Sequence, residues 1–377
     1  MKNGITKRGS TYSYTVRIPD PKTGKTKPHW VGGFKSEIEA KTARDKARVA
    51  SSNGTYISPS KVLLGDFLKE WIQIHAHTLK PKTADGYEWM IDTYINPRIG
   101  KMPISRLRPT DVAKMYRELS ENGGFKGEKL SGRTVQYIGA VLKNALAYAV
   151  DVEGIIPKNV AIGVPVPKND KKVNEPFSPE QVRIFLTEAR AHRLFAIFRL
   201  AVYTGARKGE LLALKWTDLD FENQSLVISK NRLTVRGENV VQSSTKGGEG
   251  RREISLDPET VEIMREHRKR QFEERLRAGS LWNETGYIFA TEFGEPINYG
   301  TPTQLFTKIK NRVNLPEQRF HDLRHFHATQ LLKAGTPLHV VAHRLGHRDP
   351  MVTATTYAHV TADQAVNVSI VFAKAVE

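Results

Sequence analysis

Between Ile155 and Ser178 the chain carries Pro157, Pro165, Pro167 and Pro176 among lysines and shows little apolar period. Proline has no amide hydrogen for a helix interior or a central strand, so such a stretch joins folded bodies and does not cross one. At least two cores must therefore form, one on each side of an extended linker over residues 156–177. The 377 residues leave room for two or three domains.

Ahead of the linker, the hydrophobic period changes once more. Tyr12, Tyr14, Val16 and Ile18 alternate with Ser13, Thr15 and Arg17, the period of a half-buried strand. A turn over Pro19 to Gly24 and a second extended piece over Lys27 to Phe34 follow. Ser36-Glu-Ile-Glu39 then fits a capping box that opens a helix running to about Val49. From Leu64 the period becomes helical. Leu64, Phe67, Leu68, Trp71 and Ile74 share a face, as do Tyr87, Met90, Ile91, Tyr94 and Ile95. Val112, Met115, Tyr116 and Leu119 form a third stripe, and Val135, Ile138, Leu142, Ala145 and Ala149 a fourth, behind Ser131 as a cap. Such stripes are core. These readings give a small domain over residues 1–55 and a helical bundle over 62–155.

Beyond the linker, Ser178-Pro-Glu-Gln181 opens a helix with Ser178 as its cap and proline at its first position. The run Leu194 to Tyr203 is apolar on nearly all sides and hence buried, and Thr204-Gly205 interrupts it. Arg207 stands at the start of the next helix, where free amide hydrogens favour an anion, with Glu210 one turn on. Ser225 to Ser229 and Val240 to Ser244 read as strands. Lys246 sits in a glycine-rich hairpin ahead of another strand. The fold class is multidomain α+β: a small N-terminal sheet plus helix, a helical bundle, and a mainly helical C-terminal domain over 178–377 with a small sheet.

The formal charge of +18 fits a polyanion partner, because lysines and arginines that meet phosphates release condensed counterions. Residues 1–60 hold 12 Lys/Arg against 4 Asp/Glu, so the first sixth of the chain carries nearly half of the excess. Lys22, Lys25, Lys27 and Lys35 lie near its turns, and a twisted pair of strands can enter a major groove. On the helical bundle the DNA-facing candidates are Lys80, Lys82, Arg133 and Lys143. For all of these a solvated basic surface is the competing reading. The absence of cysteine excludes disulfides, thiolate zinc sites and cysteine catalysis. With no long apolar run and no hydrophobic signal region, the chain reads as soluble and intracellular, with no membrane partner.

The chemistry concentrates late in the chain. His321-Asp-Leu-Arg324, then Leu-Gly-His347, then Tyr357 follow the upstream Arg207. A phosphodiester under attack gathers negative charge on its non-bridging oxygens, and the planar guanidinium fork is the side chain best suited to hold it. The Tyr357 phenolate is a nucleophile able to form a covalent phosphoester, which splits one transesterification into two reversible steps. Within this set Lys246 is the general acid for a leaving 5′ oxygen. His339, His343 and His347 fall at the spacing of a metal ladder, but Gly346 ends a helix before His347 and neither cysteine nor an acidic set accompanies them. Neither metal nor cofactor is expected.

Taken together, Tyr203-Thr-Gly-Ala-Arg-Lys-Gly-Glu-Leu-Leu-Ala-Leu214, the hairpin around Lys246, His321-Asp-Leu-Arg-His-Phe-His-Ala-Thr329, Arg344-Leu-Gly-His347 and Thr356-Tyr-Ala-His-Val360 resemble the tyrosine recombinases of the phage integrase family. Three-part chains of this kind are similar to integrases of conjugative transposons, other integrative elements and temperate phages. The resemblance implies that Arg207 and Arg324 clamp the scissile phosphate, His347 hydrogen-bonds a non-bridging oxygen, His321 assists proton transfer from Tyr357, and Lys246 protonates the 5′ oxygen. It further implies a 3′-phosphotyrosyl intermediate and a Holliday junction. The implied partners are core-type and arm-type double-stranded attachment sites, a homotetramer on DNA, an accessory excision factor and a DNA-bending protein. The implied location is the bacterial cytoplasm, at the nucleoid. His325 and His327 have no role in that pattern. A type IB topoisomerase uses the same chemistry to relax DNA, and a non-catalytic DNA-binding protein accounts for the charge but not for the catalytic set. Behind Tyr357, Thr361-Ala-Asp-Gln364 fits a capping box for a helix with Ala365, Val368, Phe372 and Val376 on one face, to be buried on its own domain or on a neighbouring protomer.

Overall fold

The computed structural model describes residues 4–19, 26–52, 56, 60–168, 177–243, 251–315, 318–347 and 349–357. Lys22, Lys25, Lys246 and the helix expected after Tyr357 lie outside the described residues. Contacts divide the chain into two units, Met1–Lys171 and Lys172–Glu377.

The first unit begins with an antiparallel sheet of β1 (Ile5–Arg8), β2 (Thr11–Pro19) and β3 (Thr26–Phe34), with β2 central. The alternation in β2 does what its period demands: Tyr14 and Val16 are buried with Ala47 of α1 (Glu37–Ser52). Sequence periodicity missed β1, because Ile5-Thr-Lys-Arg8 has a single apolar residue to alternate. Ser36 accepts from the Glu39 amide as expected, but the Glu39 carboxylate reaches back to the Lys35 amide, one residue before the cap.

The helices of this unit are α2 (Leu64–His75), α3 (Pro81–Met90), α4 (Asn96–Ile99), α5 (Pro109–Asn122) and α6 (Gly132–Asp151). A widened turn over Ile91–Ile95 joins α3 to α4, and Pro97, which has no amide hydrogen to offer, follows it. That turn buries Ile91, Tyr94 and Ile95 together. All four stripes meet in one core, and Ser131 caps α6 through the Thr134 amide. Ile74 departs from its stripe. It is 48% exposed, and Ile72 takes the inward place. Part of the stretch read as linker also packs here. Ile156, Ala161 and Val164 enter the core, Asn159 donates to the Lys143 carbonyl at 2.8 Å, and Gln136 donates to that of Pro167 at 2.9 Å. Prolines exclude regular structure but leave such side chains free to bury.

The second unit opens with α7 (Pro179–Ala189), where Ser178 caps the helix and Gln181 reaches back to the Ser178 amide, making the cap reciprocal. Next come α8 (Phe195–Thr204) and α9 (Lys208–Ala213), and then β4 (Leu219–Asp220), β5 (Ser225–Ile228), β6 (Lys230–Val235), β7 (Glu238–Ser243) and β8 (Arg252–Ser255). β4, β5 and β8 form one antiparallel sheet, while β6 and β7 form a separate hairpin. The remaining helices are α10 (Pro258–Ala278), α11 (Thr301–Arg312), α12 (Asp322–Lys333), α13 (Leu338–Leu345) and α14 (Pro350–Thr356). The core gathers Phe177, Phe185, Phe198, Phe306 and Phe320 in mutual ring contact. Each such ring contributes about 1.5–3 kcal/mol by burial. A smaller cluster of Ala328, Leu332, Val341, Leu345 and Tyr357 ties α12, α13 and the end of α14 together. Among the described residues, no helix is long and apolar enough to cross a membrane.

Candidate active site

Two glycines set up the site. Gly205 ends α8 and Gly346 ends α13, both left-handed at φ +64° and +67°. A Cβ on Gly205 would stand 2.7 Å from His327 Cδ2, and one on Gly346 would stand 2.5 Å from the Arg252 guanidinium. Only glycine fits such close approaches. The carbonyls presented there hold arginines: Arg324 of α12 donates to Gly205 O and Leu345 O, both at 2.7 Å, and Arg207 Nη2 reaches Gly346 O at 3.5 Å. The sequence shows the two glycines but not what their carbonyls receive.

Arg207 precedes α9, a helix of six residues whose own dipole is small. Its orientation comes instead from Glu210, which accepts from Arg207 Nη1 and from the Arg207 amide, each at 2.9 Å. Glu210 is buried, and its opposite side is filled by Arg252 of β8, which donates at 2.7 and 3.3 Å. Burial alone would raise this carboxyl, yet the hydrogen bond and charge of Arg252, with Arg207 behind, hold it below the usual carboxylate range. Arg324 is 3% exposed. Burial, with Arg207 beside it, draws its guanidinium down to about 9. Glu210 pairs with Arg207 and Arg252, while Arg324 is bonded to backbone carbonyls, so among the described residues three guanidiniums face one paired carboxylate, and this excess of positive charge fits an incoming anion.

His347 follows Gly346. Its Nδ1 lies 2.6 Å from the hydroxyl of Thr353 on α14, and the Thr353 carbonyl accepts the Tyr357 amide at 3.0 Å. One buried threonine therefore fixes both the imidazole and the phenol-bearing residue, a link that spacing alone did not reveal. Burial, followed by Arg324, Arg207 and Arg252, lowers His347 to about 4, so the ring is neutral at pH 7.

Tyr357 is 3% exposed, inside the small apolar cluster. Burial pushes its phenol up to about 12, against the opposing pull of Arg324. Its hydroxyl lies 2.9 Å from Nδ1 of His325. The imidazole on the phenol is therefore that of His325, which the sequence left without a role. His321 stands edge-on to His325, with ring centroids 5.2 Å apart, and burial followed by His325 and Arg324 lowers it to about 4. Burial also lowers His325. His327 is structural: its Nδ1 meets Val202 O at 2.9 Å and its Nε2 accepts from Arg344 at 3.2 Å. His339 and His343 lie exposed on α13, which Gly346 terminates as expected, and no group of metal-ligating side chains occurs among the described residues.

Of the basic candidates on the first unit, Lys27, Lys35, Lys80, Lys82 and Arg133 are exposed, with Lys82 paired to Asp85 at 3.1 Å. Lys143 is half-buried, and its carbonyl is taken by Asn159.

The profile of the phage integrase family matches residues 176–364, that of the phage integrase N-terminal SAM-like domain matches 63–120, and that of the arm DNA-binding domain matches 3–47. A tyrosine recombinase XerC-like protein of Caldanaerobacter subterraneus subsp. tengcongensis is 33% identical, covering 97% of each chain. The ICEBs1 integrase of Bacillus subtilis is 25% identical, covering 74% of each. Among solved structures, the Tn1549 transposon integrase in complex with transposon right end DNA superposes with a TM-score of 0.68 at 23% identity, covering 80% of this chain and 97% of that one. A lambda integrase tetramer bound to a Holliday junction gives 0.58 at 21% identity, covering 93% and 97%. The matches in sequence and fold, together with the arginines, imidazoles and buried phenol of the second unit, establish that the chain belongs to the phage integrase family and is a tyrosine-type site-specific DNA recombinase.

Proposed function

We propose that this recombinase integrates and excises a mobile element by a transesterification in which Tyr357 is the nucleophile and Arg207, Arg324, His347, His321, His325 and Lys246 serve it. The Tyr357 oxygen forms a bond to the scissile phosphorus, the bond from phosphorus to the 5′ oxygen breaks, and the product is a 3′-phosphotyrosyl ester with a free 5′ hydroxyl. The 5′ hydroxyl of the partner strand reverses the step, and two such exchanges pass through a Holliday junction. Arg207 and Arg324 neutralise the charge that grows on the non-bridging oxygens, with His347 as a further donor from its remaining ring nitrogen. A phenol pushed up to about 12 is almost fully protonated at neutral pH. Its proton therefore has to pass to a neutral imidazole, first to His325 in contact with it and onward toward His321. Lys246 returns a proton to the 5′ oxygen.

The single observation that carries this reading is the Tyr357 hydroxyl on His325, within the field of a buried Arg324. Because Tyr357 and Arg324 are each 3% exposed, attack requires the end of α14 to shift when DNA arrives. Residues 1–55 bind an arm-type sequence through the β1–β3 sheet and its lysines, residues 62–155 bind the core site, four protomers assemble on DNA, and an excision factor and a DNA-bending protein direct the outcome. Tyr357→Phe tests the chemistry. It keeps the ring and DNA binding, and protein–DNA adducts on a nicked suicide duplex vanish together with strand joining between two duplexes. An adduct formed by the Phe variant sinks the assignment, and relaxation without joining makes the enzyme a topoisomerase.

A further inference from the structure

We infer that Arg252 is a positioning residue of the strand-transfer site, gripping Glu210 and the Arg344 carbonyl at once and thereby setting where Arg207 and the turn into His347 stand. The inference rests on the phosphate-clamp role proposed for Arg207. Arg252 opens β8, the strand that follows the Lys246 hairpin in the chain, and is 4% exposed. All three guanidinium nitrogens are committed: Nη1 and Nη2 to the two Glu210 oxygens at 3.3 and 2.7 Å, and Nε to Arg344 O at 2.8 Å.

Both connections end on the clamp. On one side, the Glu210 carboxylate that Arg252 fills from behind is the group that receives the Arg207 side chain and amide. On the other, Arg344 O begins the turn Arg344-Leu345-Gly346, whose next two carbonyls receive Arg324 and Arg207. The guanidinium lies so close to Gly346 that no Cβ fits between them, so turn and arginine interlock. A residue needed only to satisfy a buried carboxylate would make the first contact and not the second. A lysine offers one point charge and cannot span both, whereas the planar fork can.

The expected behaviour follows from the groups around Glu210, which are Arg207 on its own helix, Arg252 from β8, and Arg324 from α12, with His347 beyond Gly346. Removing Arg252 leaves a buried carboxyl with Arg207 as its hydrogen-bond partner, and burial then drives that carboxyl toward protonation on the acidic side of neutrality. A protonated Glu210 releases Arg207.

The test uses the full-length protein and, as probe, a nicked suicide duplex carrying the core sequence from DNA flanking the gene. Adduct rate across acidic to alkaline pH, duplex retention and thermal unfolding are measured for Arg252→Met, Arg252→Lys, Glu210→Gln and the double variant Arg252→Met with Glu210→Gln. Arg252→Met should retain the duplex, lose about a hundredfold in adduct rate through misplacement of Arg207, and gain a rate that climbs with pH. The double variant should stay slow but lose the slope, because the titrating carboxyl is gone. Arg252→Lys should remove the slope without restoring the rate. Arg207→Ala and Tyr357→Phe run alongside. If they are dead while Arg252→Met cleaves at the wild-type rate and pH profile, the positioning role is overturned. A slow Arg252→Met with no pH slope, its loss matched by lowered thermal stability, overturns it as well. If Arg207→Ala cleaves normally, the clamp reading has failed instead. Should Arg252→Met not fold, the double variant, which removes both buried charges, and Arg252→Lys decide: recovery of the wild-type rate in either one refutes the role.

Discussion

Gly205→Ala adds one methyl group at the point where α8 ends and Arg324 is held. The backbone there is left-handed at φ +64°, which costs a residue with a Cβ about 1–2 kcal/mol. The new carbon would lie 2.7 Å from His327 Cδ2 and 2.8 Å from Leu345 Cδ2. Neither neighbour can swing aside: Leu345 is fully buried, and His327 is held between Val202 O and Arg344. Overpacking at such a site adds about 1–3 kcal/mol, for a total of about 2–5 kcal/mol. For a unit of this size each kcal/mol moves the Tm by about 2–4 °C, so a fall of about 4–20 °C is expected. Gly237 supplies the control. It turns the β6–β7 hairpin at φ +85° with nothing within 4 Å of its Cβ position, so Gly237→Ala carries the backbone cost alone, about 1–2 kcal/mol. Thermal unfolding of the two variants, with adduct formation on a suicide duplex below the lower Tm, makes the comparison. Equal Tm losses would refute the packing argument. Normal cleavage by a destabilised Gly205→Ala would refute the claim that the Gly205 carbonyl positions Arg324.

His325→Leu removes the acceptor on the Tyr357 hydroxyl and should slow adduct formation by about 10²–10⁴-fold while leaving duplex binding intact, the usual worth of a positioned base. A larger loss from His321→Leu than from His325→Leu would move the first proton transfer to His321. The second unit should also lose stability in mild acid. Burial, the largest cause in each case, lowers His267, His321, His327 and His347 to about 4, whereas unfolded imidazoles titrate near 6.5. The folded state thus refuses protons that the unfolded state accepts, so this contribution is complete above pH ~6.5 and drains away as pH falls toward ~4. Urea midpoints measured through that window should decline, with a shallower decline for His267→Gln, and a flat series would contradict the burial of these rings.

What the sequence determined by itself was whatever depends on near neighbours along the chain. The strand period at Tyr14 and Val16, the caps at Ser131 and Ser178, the buried run into Thr204 and the helix stop at Gly346 all rest on residues within a turn or two of each other, where spacing maps onto geometry. The chemistry of a phosphodiester singled out Arg207, His321, Arg324, His347 and Tyr357 as the proposed set, and the fold gathers these residues around the ends of α8, α13 and α14. Short or weakly apolar pieces escaped. β1 has one apolar residue, and Ile72 displaced Ile74 because a stripe read by eye leaves its edge positions undecided. The tertiary structure alone decided which imidazole meets the phenol. His325 and Tyr357 are 32 residues apart, as Glu210 and Arg252 are 42 apart, and no local period encodes a pairing made by separate helices and strands closing on one another. It also decided what the glycines are for. A left-handed turn is visible as a glycine in the sequence, but the arginine that its carbonyl receives arrives from more than a hundred residues away, brought there by the packing of α8 against α12 and by the interlock of β8 with the end of α13.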